Sequence, residues 1–151
     1  MAGERSLNIP PVYFLVALAL MGFLHYVFPL AQVIVGPLRY LGLVVIVPAL
    51  ALILWAAALF KRAGTGIVPF SPATSLVLAG PYRFTRNPMY LGMAGLLLGT
   101  ALLMGSLSAL VVVPAFMALI AERFIGPEEA MLERTFGQPY LDYKARVRRW
   151  L

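Results

Sequence analysis

Cysteine is absent from the chain, which excludes disulfides, thiolate metal sites and a cysteine nucleophile. Histidine occurs once, at His25, so there is no histidine cluster to hold zinc, and no metal site is expected. Charge is scarce as well. Only 12 % of the 151 residues are charged and 62 % are hydrophobic, whereas a typical soluble domain is about 25 % charged. From Leu7 to Ile120 the only charged residues are Arg39, Lys61, Arg62, Arg83 and Arg86. A helix in water needs a polar face, and most of these segments have none. With a mean hydropathy of +0.88, the chain reads as an all-α integral membrane protein. The expected architecture is about four transmembrane helices, a structured cytoplasmic loop and a C-terminal helical segment. The net charge of +6 then reflects basic residues held at the cytoplasmic face beside anionic lipid, and nucleic acid is not an expected partner.

Spans of about 20 apolar residues can be marked along the chain. The first runs from about Pro11 to Val35, with His25 and Pro29 in its second half. Met1–Asn8 carries Glu4 and Arg5, and no clean small-x-small site follows the apolar run, so it reads as a retained span and not as a cleaved signal peptide. The second runs from about Leu38 to Phe60, after the Gly36-Pro37 turn, with Lys61-Arg62 at its exit. The stretch Met89–Ala121 is too long for one span and short for two. Gly105-Ser106 divides it into a tight hairpin, Met89–Met104 and Leu107–Ala121, with Pro114 a candidate kink. Basic residues cluster in Lys61–Arg86 and after Glu122, so four spans with both termini inside satisfy the positive-inside rule. An isolated His25 reads as a packed polar residue, which disfavours a transporter built on a proton relay.

Two segments lie outside the spans. Residues 61–88 contain four prolines and three glycines, and prolines lower the entropy lost on ordering, so this loop reads as shaped. Residues 122–151 show a break at Gly126-Pro127, a short amphipathic helix from Glu128 to Thr135, a stop at Phe136-Gly137, and a second helix from Tyr140 to Trp150. The chain divides into residues 1–60, two N-terminal spans, and residues 61–151, which hold the loop, the hairpin and the C-terminal segment.

Three clusters could carry chemistry. Gly80-Pro81-Tyr82-Arg83 is a turn with two polar tips. In Arg86-Asn87-Pro88-Met89-Tyr90, Asn87 fits an N-cap, Pro88 a first helical position, Tyr90 an interfacial anchor and Arg86 a snorkelling side chain. The same helix start presents free N–H groups to a polar ligand. Glu128-Glu129 suits the first turn of a helix. Adjacent positions diverge by about 100°, so at most one of these carboxylates faces a given ligand. One carboxylate facing a cation is therefore the natural reading.

Thr74-Ser75-Leu76-Val77, Gly80-Pro81-Tyr82-Arg83 and Arg86-Asn87-Pro88-Met89-Tyr90-Leu91-Gly92 resemble the isoprenylcysteine carboxyl methyltransferase family and its bacterial relatives, with more distant kinship to phospholipid N-methyltransferases. The tail is similar too, in Glu128-Glu129, Leu132, Phe136-Gly137, Tyr140, Tyr143 and Val147. The match covers about residues 61–151. The resemblance implies S-adenosylmethionine as methyl donor, contacted by Thr74, Ser75, Leu76, Val77, Tyr82, Asn87, Pro88, Met89 and Tyr90. It further implies that Glu128, with Glu129 beside it, meets the cofactor's ammonium. Many members have His where this chain has Asn87, which removes a titratable group. The family's substrate-binding Arg falls on Phe124, so that catalytic role passes to the adjacent Arg123. The implied reaction is methyl transfer to a lipophilic acceptor drawn from the membrane lipids, such as a prenylcysteine-type carboxylate, at the cytoplasmic face of a bacterial inner membrane. A phospholipid amine, a small thiol or a catalytically silent binding module are the alternatives.

Overall fold

The computed structural model describes residues 9–64 and 75–151; Thr74 lies outside the described residues. Among these the architecture is all-helical. Helix α1 is Pro10–Val27, and α2 is Leu41–Arg62, entered through a 3-10 turn at Gly36–Tyr40. Helix α3 is Pro88–Met104 and α4 is Leu107–Ile120. A π-helical turn, Ala121–Ile125, joins α4 to α5, Gly126–Phe136, and α6 is Gln138–Arg146. Among the described residues three stretches are long and apolar enough to cross a membrane: Pro10–Val27, Gly36–Arg62 and Leu107–Phe136. The 17-residue α3 is apolar and shorter.

The first span ends earlier than its composition implied. Phe28 precedes Pro29, whose ring disfavours helical backbone at the residue before it, and Phe28 leaves the helical region with φ −137° and ψ 68°. Residues 28–35 instead form a connector that crosses the turn between α3 and α4. The amides of Val33 and Ile34 donate to the Gly105 carbonyl at 2.8 and 3.1 Å, and the Leu107 amide donates to Ala31 O at 2.9 Å. Gly105 closes α3 in the left-handed region at φ +74°, a helix end that favours glycine. At the same end His25 Nδ1 lies 2.9 Å from the Ser106 hydroxyl, and Ser106 is fully buried. His25 is thus a packed polar residue, as its isolation implied.

Small residues set how closely α2 and α3 approach. Gly42, Ala49 and Ala56 recur every seven residues and are the buried positions of α2. Opposite them, a Cβ on Gly95 would lie 2.8 Å from Ala49 Cβ, and one on Gly99 would lie 2.6 Å from the Gly42 carbonyl. Close backbone approach of this kind stabilises helix pairs in lipid, where burial from water contributes nothing between spans. Helix α1 packs on α4, and Ala17 and Met21 join Leu97, Phe116, Ile120 and Phe124 in one core, so residues 1–60 and 61–151 share an interior. Leu15, Val16, Phe23, Val44 and Leu54 face outward, as suits contact with acyl chains.

The expected break at Gly126-Pro127 is absent. Gly126 stays helical at φ −57° and its amide reaches back five residues to Ala121 O. Pro127 has no amide to satisfy, and the wider π turn gives its ring room against the preceding carbonyls. The continuous helix of 30 residues is about 45 Å long, against a hydrocarbon core of about 30 Å. Its apolar part ends at Ala121, so α5, with Glu128, Glu129, Glu133 and Arg134, projects beyond the span.

Gly99→Ala is expected to lower the thermal midpoint in detergent, at a cost of about 1–3 kcal/mol. Gly22→Ala, where an added Cβ meets nothing within 4 Å, is expected to leave the midpoint unchanged or raised.

Candidate functional site

Proline, a short turn and a buried ion cluster assemble the site at the polar end of the bundle. Gly80 adopts φ +60° and Pro81 opens the 3-10 turn Gly80–Arg83. This turn buries Tyr82 against Phe60 of α2, with ring centroids 5.4 Å apart. Pro88 starts α3, which brings Tyr90 to its first turn. The long helix delivers Glu128 and Glu129, and the C-terminal segment folds back over both.

The two carboxylates have opposite fates. Glu129 is 6 % exposed. Its Oε1 accepts from Arg86 Nη2 at 2.9 Å and from Arg149 Nε at 3.2 Å, and its Oε2 accepts from Arg149 Nη2 at 2.7 Å. Burial alone would raise its pKa, but the hydrogen bonds from Arg149 and Arg86 hold the carboxyl below the usual range. Glu128 has no such cation. Its Oε1 accepts from the Tyr90 hydroxyl at 2.9 Å, and among the described residues it forms no ion pair. Burial pushes its carboxyl up to about 7, and the Tyr90 hydrogen bond opposes that only in part. The Tyr82 hydroxyl, which feels the Glu128 charge, is buried with no hydrogen-bond partner among the described residues. Tyr82, Tyr90 and Glu128 thus form a half-sheltered polar group that wants a cation and a further acceptor.

Arg86 does not snorkel. Besides Glu129, its Nη1 donates to the carbonyls of Lys144 and Val147 at 3.0 and 2.6 Å, and its amide donates to Arg148 O at 2.9 Å. Asn87 does not cap α3 with its side chain; Nδ2 donates to Arg149 O at 3.0 Å. The Thr85 hydroxyl donates to the same carbonyl at 3.1 Å, and the Tyr143 hydroxyl donates to Tyr82 O at 2.7 Å. These bonds draw residues 147–149 out of helix into an extended strap. The expected helix from Tyr140 to Trp150 therefore ends at Arg146.

Of the residues marked in the sequence, the fold gathers Tyr82, Asn87, Pro88, Tyr90, Glu128 and Glu129. Met89 follows Pro88 in the first turn of α3 and is partly buried. Ser75, Leu76 and Val77 are also partly buried, and the Ser75 hydroxyl donates to Ala63 O at 3.2 Å beside the end of α2. Arg123 is exposed on the π turn, and it is Phe124 that turns inward, fully buried and edge-on to Tyr13 at 5.1 Å. Arg123 is therefore not drawn into the cluster. Sequence reasoning missed the structural roles of Arg86, Arg149, Thr85 and Tyr143. The arginine excess after Lys144 beside a glutamate pair was the available signal.

The fold is similar to the solved structure of the eukaryotic intramembrane Ras methyltransferase, isoprenylcysteine carboxyl methyltransferase, determined without a monobody. The TM-score is 0.66 at 26 % identity, over 91 % of this chain and 50 % of that one. The chain thus has the fold of an intramembrane methyltransferase and spans half the length of that relative. A protein of Haemophilus influenzae, described only as uncharacterized, is 41 % identical over 63 residues, 42 % of this chain and 100 % of the relative. The family model for phospholipid methyltransferases matches residues 38–139, most of the chain, and the chain belongs to that family.

Two outcomes separate the carboxylates. Glu129→Ala, which strands Arg86, is expected to cost about 3–5 kcal/mol in detergent unfolding. For Glu128 the folded value lies above the unfolded one, so its stabilising contribution is present at about pH 4.5 and is lost as pH rises through about 7. The thermal midpoint of the ligand-free protein is expected to fall across that window, and Glu128→Gln is expected to remove that part of the slope.

Proposed function

We propose that the protein transfers a methyl group from S-adenosylmethionine to a lipophilic acceptor at the cytoplasmic face of the membrane, with a prenylcysteine-type carboxylate as the acceptor class. The observation that carries this reading is Glu128: a partly buried carboxylate held by Tyr90, without a cation, beside the unpartnered Tyr82 hydroxyl. A ligand with an ammonium group and further polar atoms fits that arrangement. When bound, S-adenosylmethionine would supply an electrophilic methyl on a sulfonium leaving group.

The chain's own residues would bind and orient. Glu128 would accept the ammonium, with Tyr90 fixing the rotamer of its carboxylate. Tyr82 would offer its hydroxyl, and the Tyr82 and Tyr90 rings would provide faces for a cation. Glu129, Arg86 and Arg149 hold the framework and are unavailable for proton transfer. Asn87, spent on the strap carbonyl, does not titrate. With Glu128 committed to a cation, the described residues leave no general base at the site. That favours an acceptor already anionic, such as a carboxylate, over an amine or thiol that must first lose a proton. Catalysis would then rest on orientation and exclusion of water.

Calorimetry on the purified protein in nanodiscs is expected to show S-adenosylmethionine binding. Glu128→Gln is expected to weaken it about 10- to 100-fold, the scale of one lost charge-assisted hydrogen bond. Wild-type affinity is expected to fall as pH drops below about 7, whereas the variant's does not. No binding by the wild type would overturn the reading and leave a silent membrane module. A labelled-methyl assay with prenylcysteine analogues, phospholipid amines and small thiols decides the acceptor, and transfer only to amines or thiols would overturn the carboxylate assignment.

A further inference from the structure

Tyr143, whose hydroxyl donates to Tyr82 O, also lines a groove. It is a cavity of about 280 Å³ lined by Leu78, Arg83, Tyr143, Arg146 and Val147. No acidic side chain lines it, so its character is opposite to that of Glu128. Some basic residues nearby are paired: Arg86 and Arg149 with Glu129, and Lys144 with Glu133 at 3.1 Å. Arg83, Arg146 and Arg148 are exposed and form no ion pair among the described residues. Arg146 is steadied through Nε, which donates to Asp142 O at 3.1 Å, and its terminal nitrogens find no acceptor among the described residues. The Tyr143 hydroxyl is committed to Tyr82 O, so that wall is fixed.

The remaining lining, Leu78 and Val147, is apolar. Phe84, adjacent to Arg83, is 72 % exposed. Two guanidiniums without ion pairs among the described residues, set by an apolar wall and next to an exposed phenylalanine in a membrane protein, complement an anionic amphiphile. Guanidinium groups bind phosphate oxygens in bidentate fashion. The volume, at the low end for ligand pockets, suits a headgroup whose acyl chains stay in the bilayer.

We propose that this groove binds the headgroup phosphate of an anionic phospholipid, held by Arg83 and Arg146 against Leu78 and Val147. The groove shares no lining residue with the Tyr82, Tyr90 and Glu128 group and does not depend on what that group binds. It gives the α6 end of the molecule a fixed lipid contact and sets its depth at the membrane surface.

Native mass spectrometry of the full chain released from detergent, with added phosphatidylglycerol, phosphatidylcholine or inorganic phosphate, tests this. One retained phosphatidylglycerol is expected, with about tenfold preference over phosphatidylcholine. Arg83→Gln with Arg146→Gln is expected to abolish the preference, and Arg134→Gln, an exposed arginine elsewhere, to keep it. Arg146→Lys keeps the charge and is expected to retain part of the preference, which separates charge loss from misfolding. Equal retention of the two lipids, a preference surviving the double variant, or displacement of the lipid by inorganic phosphate at equal concentration would each overturn the proposal.

Discussion

Glu129, buried between Arg86 and Arg149, joins three parts of the chain that are distant in sequence. Arg86 lies two residues before the start of α3, Glu129 lies in the first turn of α5, and Arg149 follows α6 in the strap. A charge trio of this kind costs desolvation that its mutual attraction only partly repays, so its main product is geometry and not net stability. The geometry is used in full. Arg86 spends its remaining donors on the carbonyls of Lys144 and Val147, and Thr85 and Asn87 take the Arg149 carbonyl. The strap, the start of α3 and α5 are thereby fixed relative to one another. Glu128 is left facing Tyr90.

The π turn at Ala121–Ile125 decides which carboxylate plays which role. One extra residue in a helical turn rotates everything beyond it by about 100° relative to an uninterrupted α-helix. With that rotation Phe124, Ile125 and Glu129 are buried, and Glu128 reaches Tyr90. Further down, the glycine seam between α2 and α3 lets α3 lie close against α2, and this positions Tyr82 over Phe60 and Tyr90 at the mouth of the bundle. Packing in the apolar part therefore places the polar groups above it.

Much of this was legible in the residues. The hairpin divided at Gly105-Ser106, because a glycine that ends a helix in the left-handed region leaves a plain mark. Pro88 opened α3 as its ring predicts. Adjacent helical positions diverge, and the glutamate pair does split: Glu129 turns to Arg86 and Arg149, and Glu128 to Tyr90. The less legible elements share a cause. The first span was extended through Pro29, and the tail helix through Val147, because apolar or helix-compatible composition says nothing of carbonyls claimed by distant donors. The Gly126-Pro127 break did not occur because the preceding π turn, invisible in local composition, removed the clash.

By itself the sequence determined the membrane solvent, the order of the apolar helices among the described residues, where the basic residues cluster and the residue types available for chemistry. These follow from local quantities: apolar run length, glycine and proline positions, and charge. Only the tertiary structure decided that Arg86 and Arg149 take Glu129, that Glu128 stays unpaired beside Tyr82 and Tyr90, and that Arg123 points away while Phe124 points in. Those outcomes depend on helix phase and on contacts between residues 20 to 61 positions apart, where a rotation of one residue exchanges the inward and outward faces.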